Sequence, residues 1–456
     1  MRLLAVFLIV VAGLALRLDA AWHGAGENLP DSAAYERIAR GLHEDGIFAQ
    51  KGPGTPAHPQ PATNYSPGLP LAVAGIFELA GDDDVRLARI LLALVTTLAI
   101  PMAWVLARRL SPPGQAEAAG LVAAAVVAFY PCLIADAGML LTESLAGTLI
   151  VASLLLVLRA RERTTGADAV STPRLALAWA LPGLALGLTA MVRPEYLAIS
   201  LLLVAVLFAL NRGAGIRRAL VAAAAMAAAI AVAVAPWTAR SLHETGRLVP
   251  LSTGGGQTLF TGSYLASAGD PLEVMPLVLE RNPDLASRIA AENRASGEGP
   301  ESVTPERVLT LLASERLPGV PTDVALARLG RENYLRALRF DPVGLGEFLI
   351  GKAARIWWRG RTDLTGTPAG RAFHMALVAT ALAGLLLLGV RRRPEFWMIL
   401  AIAAGATLIG TILVASPRRT LVLWPVIASL SGIGVAGALR LARDAWAGRP
   451  RAVRIA

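Results

Sequence analysis

The sequence predicts an all-α polytopic membrane protein of about ten transmembrane helices, with external loops and a small mixed or helical external domain. Three observations lead there. Of the 456 residues 55% are hydrophobic, and the mean hydropathy of +0.55 lies above that of soluble domains. Charged residues make up only 17% of the chain and fall between long apolar runs. Arginines gather at the ends of those runs, as topology signals do.

The formal charge of +10 invites a nucleic-acid reading, but lysine occurs only at 51 and 352 and no basic stripe with interleaved aromatics is present. Nucleic acid is therefore not an expected partner. The single Cys132 excludes a disulfide framework and a cysteine-based metal site. The opening "MRLLAVFLIVVAGLALRLDAAWHG" has the charge and apolar core of a signal peptide. Its apolar run is long and no small-x-small cleavage site follows directly, so it reads as a retained first helix.

Apolar segments follow near 3–21, 86–109, 117–135, 138–158, 174–192, 195–211, 217–237, 372–390, 395–414 and 420–440, each suited to a hydrocarbon core of roughly 30 Å. The shorter "SPGLPLAVAGIFELAG" at 66–81 reads as re-entrant or interfacial. With the N-terminus in the cytoplasm, the inside loops hold Arg108 and Arg109, "RARER" at 159–163, Arg212, Arg217 and Arg218, and "RRRPE" at 391–395. The basic tail "RLARDAWAGRPRAVRIA" lies on the same side, and the short outside loops are poorer in arginine. Both termini are thus expected to be cytoplasmic. Two long stretches, 22–85 and 238–371, then face outward. They divide the chain into an N-terminal transmembrane module (1–237), an external domain (238–371) and a C-terminal transmembrane module with its tail (372–456). Within the second stretch "NPDLASRIAAENRA", "PERVLTLLASERL" and "TDVALARLGRENYLRALRFDP" read as amphipathic helices, and "GRLVPLSTGGGQTLFTGSYLA" as strand or loop with a glycine turn. No transporter-like internal repeat is visible.

The chemistry-bearing residues fall on the external side. "PDSAAYERIARGL" opens a helix at Pro30, with Asp31 or Ser32 as N-cap and Tyr35 and Glu36 in the following turns. "DAGMLLTESLAG" sets Asp136 at a junction of spans and Glu143 about two turns inside the next, where an acid needs a partner or a wet cavity. "AMVRPEYL" puts Arg193 at another external turn, and "VASPRRTLVLWP" puts Arg418 and Arg419 at the external start of the last span. Cations on the disfavoured side point to an anionic ligand, and phosphate matches the guanidinium fork. Lys352 in "GKAARIWWRGR" is a further phosphate candidate, or with Trp357 and Trp358 an interfacial anchor. The five histidines lack metal-ligand spacing, "TGGGQ" is no Walker loop, and "DDD" at 82–84 reads as a solvated turn or a cation site.

"PDSAAYERIARGL", "NYSPGLPLAVAGIF", the "LTESL" and "RPE" turns, "APWTARSLHETGRLVPLSTGGGQTLFTGS" and "SPRRTLVLWP" occur in the order found in one family. In them the chain resembles bacterial GT-C membrane glycosyltransferases, akin to dolichyl-phosphate-mannose protein mannosyltransferases and the aminoarabinose transferase of lipid A. No motif matches in about 265–370. The resemblance implies a GT-C-like fold and an inverting transferase in a bacterial inner membrane. Its active site would be external and its donor a polyprenyl-phosphate sugar. The acceptor would be a glycan, lipid or protein hydroxyl. It implies Asp31 as catalytic base and Asp136 and Glu143 as acidic partners; by position Arg193, Arg418, Arg419 and Lys352 are offered for the donor phosphate, and Tyr35 and Tyr65 lie in the loop that meets donor or acceptor. A divalent metal stays open, although Asp31–Ser32 stands where relatives carry an acidic pair. Two other readings stay open: a transporter or flippase of lipid-linked saccharide, and an O-antigen ligase or polymerase. An Asp31→Asn change separates a transferase from a scaffold.

Overall fold

A computed structural model of the protein describes residues 2–24, 29–51, 61–164, 171–265, 271–296 and 305–446. The described residues form helices joined by turns, and the one isolated bridge, Ala49 to Pro61, makes no strand. In order the helices are α1 (Arg2–His23), α2 (Pro30–Asp45), α3 (Gly68–Ala80), α4 (Val85–Thr97), α5 (Ala99–Leu110), α6 (Ala116–Phe129), α7 (Pro131–Ala137) and α8 (Glu143–Thr164). There follow α9 (Thr172–Val192), α10 (Glu195–Asn211), α11 (Ile216–Thr245), α12 (Gly255–Gly262), α13 (Pro271–Arg281), α14 (Pro283–Ser296) and α15 (Pro305–Arg316). The last are α16 (Thr322–Phe340), α17 (Pro342–Trp358), α18 (Asp363–Gly366), α19 (Pro368–Val390), α20 (Pro394–Ile412), α21 (Arg418–Leu421) and α22 (Trp424–Trp446).

Among the described residues eight helices are long and apolar enough to cross a membrane: α1, α4 continuing into α5, α8, α9, α11, α19, α20 and α22. That is roughly consistent with the ten expected segments, and becomes nine if the bent pair α6 and α7 is counted as one span; the difference has two physical reasons. Segment 117–135 is α6 plus α7, bent by 48° at Pro131, and α10 is an apolar helix of only 17 residues. Helix α3, with 13 residues, is too short to span a bilayer upright.

The bend at Pro131 shows how the bundle handles a charge in its interior. Proline has no N–H, so the carbonyl four residues earlier, Val127, loses its helical partner. Arg17 of α1, buried, supplies the donor: its Nη2 reaches Val127 O at 2.6 Å and its Nη1 reaches Ala128 O at 3.2 Å. Beyond the bend Tyr130 stacks on Trp424 with ring centroids 3.7 Å apart. The Tyr130 hydroxyl donates to His374 Nδ1 at 2.8 Å, because His374 Nε2 must donate to the Trp357 carbonyl at 2.9 Å.

Helix α22 runs through the middle of the bundle, packed on α5, α6, α8 and α19 and buried continuously from Trp424 to Gly434. Its core comprises Leu106, Val127, Ile150, Leu154, Leu388 and Ile433. Helices α9 and α11 meet through Gly183 and Gly187, a small-xxx-small pair. A Cβ on Gly183 would lie 2.8 Å from Met226 Cα, and one on Gly187 would lie 2.6 Å from Ala233 Cβ.

Helices α12 to α16 build a separate apolar cluster from Phe260, Val274, Val278, Leu285, Ile289, Val308, Leu312 and Leu326. Here the sequence expectation is corrected. Residues 255–262 are helical, and Gly256 serves close approach by facing the Asp323 backbone; from the facing helix a Cβ on Gly330 would lie 2.9 Å from Phe260 N. An Arg247–Asp323 pair with two parallel 2.7 Å hydrogen bonds closes the same crossing. It holds the Asp323 carboxyl below its ordinary value, with burial opposing.

Candidate active site

Helix α2 begins at Pro30, whose fixed φ and missing N–H suit the first helical position. Leu29 is the N-cap, and no side chain caps the helix. The expected capping role of Asp31 or Ser32 is thereby corrected. Asp31 sits in the first turn, where the helix dipole favours an acid. Its Oδ2 receives a 2.7 Å hydrogen bond from Arg418 Nη1, 387 residues along the chain. Ser32 is buried, and its Oγ accepts from the Leu140 amide at 3.0 Å, tying α2 to the segment between α7 and α8. One turn on, Tyr35 is buried edge-to-face against Tyr65 with centroids 5.5 Å apart. Burial, helped by the Asp31 charge, pushes the Tyr35 phenol up to about 12. Glu36 turns away to Arg40, which also pairs with Asp83. Asp84 caps α4 by accepting from Arg86 N at 2.8 Å, so two of the three acids at 82–84 have structural work.

Glu143 is the first residue of α8, not two turns inside it, because residues 138–142 are non-helical. It is fully buried all the same. Arg418 Nε donates to its Oε1 at 2.6 Å, and Arg193 Nη1 lies 3.4 Å from the same oxygen. Arg193 also holds Glu195 Oε1 through Nε at 3.0 Å and Nη2 at 2.7 Å, and Thr142 Oγ1 at 3.1 Å. Arg419 Nη1 reaches Glu195 Oε1 at 3.3 Å while its Nε donates to Val414 O at 2.8 Å. Asp31, Glu143 and Glu195 thus interleave with Arg193, Arg418 and Arg419 in one network with balanced formal charge. Side-chain exposure rises along it, from 0% at Glu143 through 23% at Arg418 to 46% at Asp31. Asp31 is the outward end.

Asp136 borders the network. Its Oδ2 accepts from Ser144 N at 2.9 Å, satisfying an orphan amide in the first turn of α8. Its Oδ1 faces Arg361 Nη2 across 3.8 Å, too far for a hydrogen bond. Nε and Nη2 of Arg361, the edge that grips two oxygens at once, are likewise buried without a hydrogen-bond partner. Sequence reasoning named Glu195 without giving it a role and did not single out Arg361. The first was visible beside Arg193 in "RPE", the second only as a charge after the tryptophans of "WWRGR".

Lys352 stands elsewhere. Fully buried, its Nζ donates to Gly262 O at 2.5 Å, Leu413 O at 2.6 Å and Tyr334 Oη at 3.2 Å. An ammonium has three protons, and these three acceptors use them. The phosphate-binding expectation for Lys352 is corrected accordingly. It caps the C-terminal ends of α12 and α20 where the helices α12 to α16 meet the bundle. Burial, reinforced by Arg419 and Arg355, lowers it to about 7.

Among the described residues no group of three or more His, Cys, Asp or Glu side chains could hold a metal ion. Asp31 and Glu143, the two acids on Arg418, have its guanidinium between them. That pair does not fit a divalent cation.

No family model matches the sequence, and neither does any curated protein. Solved structures do. The archaeal oligosaccharyltransferase AglB from Archaeoglobus fulgidus, in complex with an inhibitory peptide and a dolichol-phosphate, superposes with a TM-score of 0.57 at 14% identity, over 100% of this chain and 52% of that one. Its apo form gives 0.57 at 17% identity over 99% and 52%. ArnT from Cupriavidus metallidurans bound to undecaprenyl phosphate gives 0.42 at 18% over 96% and 79%. The chain spans about half the length of the oligosaccharyltransferase it matches. At such identities the likeness concerns architecture: this is an all-α membrane protein with the fold of GT-C membrane glycosyltransferases.

Proposed function

We propose that the protein is an integral-membrane glycosyltransferase moving a sugar from a polyprenyl-phosphate donor to an acceptor hydroxyl. The observation that carries this is the Asp31–Arg418–Glu143 bridge: a half-exposed carboxylate and a guanidinium side by side, held from behind by a buried acid. The shared fold supports it, since the oligosaccharyltransferase of that fold is recorded with a dolichol-phosphate.

Asp31 takes the proton of the acceptor hydroxyl as its oxygen attacks the anomeric carbon. The bond from that carbon to the phosphate oxygen breaks, and its electron pair leaves with the phosphate. Attack opposite the leaving group inverts the configuration. Phosphate needs neutralising charge and no general acid, which arginine supplies. Arg418 is the first cation it meets, with Arg193 and Arg419 behind. Glu143 fixes Arg418, Asp136 fixes the start of α8, and Tyr35 and Tyr65 line the first external loop. In this reading the site faces outward from a bacterial inner membrane and both termini are cytoplasmic. Residues 1–237 and 372–456 form the two transmembrane modules around the external domain 238–371. The acceptor is a glycan, lipid or protein.

The test is label transfer in proteoliposomes from a panel of radiolabelled polyprenyl-phosphate sugars to an envelope extract. Wild type should transfer, and Asp31→Asn should fall by about 10²- to 10⁴-fold while still binding donor. Labelled lipid crossing the bilayer without transfer, in both proteins, would establish a flippase and remove Asp31 from any chemical role.

A further inference from the structure

The Asp31–Arg418 contact places the proposed base on the very guanidinium the leaving phosphate needs, and the two anions compete for its charge. We infer that this ion pair is a latch opened by the lipid phosphate, so that donor binding itself releases the base; the inference rests on the transferase reading above.

Arg418 has two unlike arms. Its Nε is committed to Glu143, fully buried, at 2.6 Å. Its Nη1 is committed to Asp31, 46% exposed, at 2.7 Å. Removing the inner partner would strand a buried charge, whereas the outer partner can be resolvated when displaced. An oxyanion arriving from outside therefore exchanges with Asp31 alone. Arg193 and Arg419 offer no comparable outer arm, since their pairs run to Glu143 and Glu195, which are far less exposed.

The exchange sets an order. With no donor bound, Asp31 Oδ2 accepts a hydrogen bond from Arg418 Nη1 and is turned toward it, not toward an acceptor hydroxyl. Donor phosphate takes the Nη1 position, and the freed carboxylate turns to the acceptor. The proton it gains during transfer abolishes its claim on Arg418 while product phosphate is present. Loss of that proton to water restores the claim and drives the polyprenyl phosphate out. The latch thus discourages premature activation of water before a donor is seated.

The decisive measurement is equilibrium binding of undecaprenyl phosphate to the full chain in phosphatidylcholine nanodiscs. Asp31→Ala and Asp31→Asn should bind about two- to fivefold tighter than wild type, the range of a partly exposed ion pair. Arg418→Lys, which keeps Glu143 compensated, should bind more weakly and should lose the gain from a second Asp31→Ala change. Equal or weaker binding by both Asp31 variants would overturn the latch and leave the transferase reading standing. Absence of binding in wild type and Asp31 variants, all melting normally, would overturn both. Inorganic phosphate serves as the second arm: if it binds as well as the lipid at equal concentration, the ligand is free phosphate and the lipid-driven latch is wrong.

Discussion

Glu143→Gln tests whether the buried network is held together by charge. The change keeps the side chain's size and leaves two arginines facing a neutral amide. At an effective dielectric of about 20, unit charges 2.6 Å and 3.4 Å apart attract by roughly 6 and roughly 5 kcal/mol. Desolvation of Glu143, which the mutant no longer suffers, offsets much of this. What survives is the cost of an uncompensated buried cation, about 3–5 kcal/mol. Thermal unfolding in detergent, followed by intrinsic tryptophan fluorescence, should show a clear drop in midpoint. Glu143→Gln combined with Arg193→Gln, which restores the balance, should recover part of it. An unchanged midpoint in the single variant would refute the reasoning, because it would mean that Arg418 and Arg193 are stabilised by solvent and not by Glu143.

Two further predictions concern the frame around the site. Lys352 is lowered from its ordinary 10.5 to about 7, so the folded protein binds fewer protons than the unfolded chain between those values. Its contribution is therefore most favourable above about 10.5 and is lost as pH falls through about 7, and detergent melting of wild type should rise relative to Lys352→Met across that window; a pH-independent difference would show Lys352 charged throughout. Gly183→Leu should force α9 from α11 and destabilise the bundle by about 1–3 kcal/mol, seen as a lower melting midpoint and loss of the monodisperse peak; a wild-type profile would show the helices are not held at backbone contact.

Much of the fold was legible because a bilayer imposes length and polarity on every segment that crosses it. Pro131 is where that legibility ended: a local rule announces a break, yet only Arg17, more than a hundred residues away, explains why the break is tolerated. In the site, Arg193, Arg418 and Arg419 stood out because the expected topology places them on the side where arginine is disfavoured. Their reading as cations awaiting an anion missed that Glu143, Glu195 and Asp31 already answer them, since pairing across 275 or 387 residues leaves no trace in local spacing. Lys352 misled for the same reason, as its acceptors are backbone carbonyls, which no sequence pattern displays. Gly256 read as part of a turn because composition records flexibility and does not record the neighbour that requires a small residue.

The long reach of the Arg418 contacts has a consequence for biogenesis. Synthesis delivers Asp31 and Glu143 early and Arg418 only when most of the chain has been made. Until then α8 enters the membrane with an acid at its first residue and, of the arginines in the final network, only Arg193 to answer it. The N-terminal helices on their own are thus an incomplete assembly that must wait, shielded by insertion machinery or by water at the membrane edge, for the segment that begins at Ser416. Chains truncated before α21 should be cleared by membrane quality control, and a C-terminal fragment supplied in trans should rescue them only if it carries Arg418.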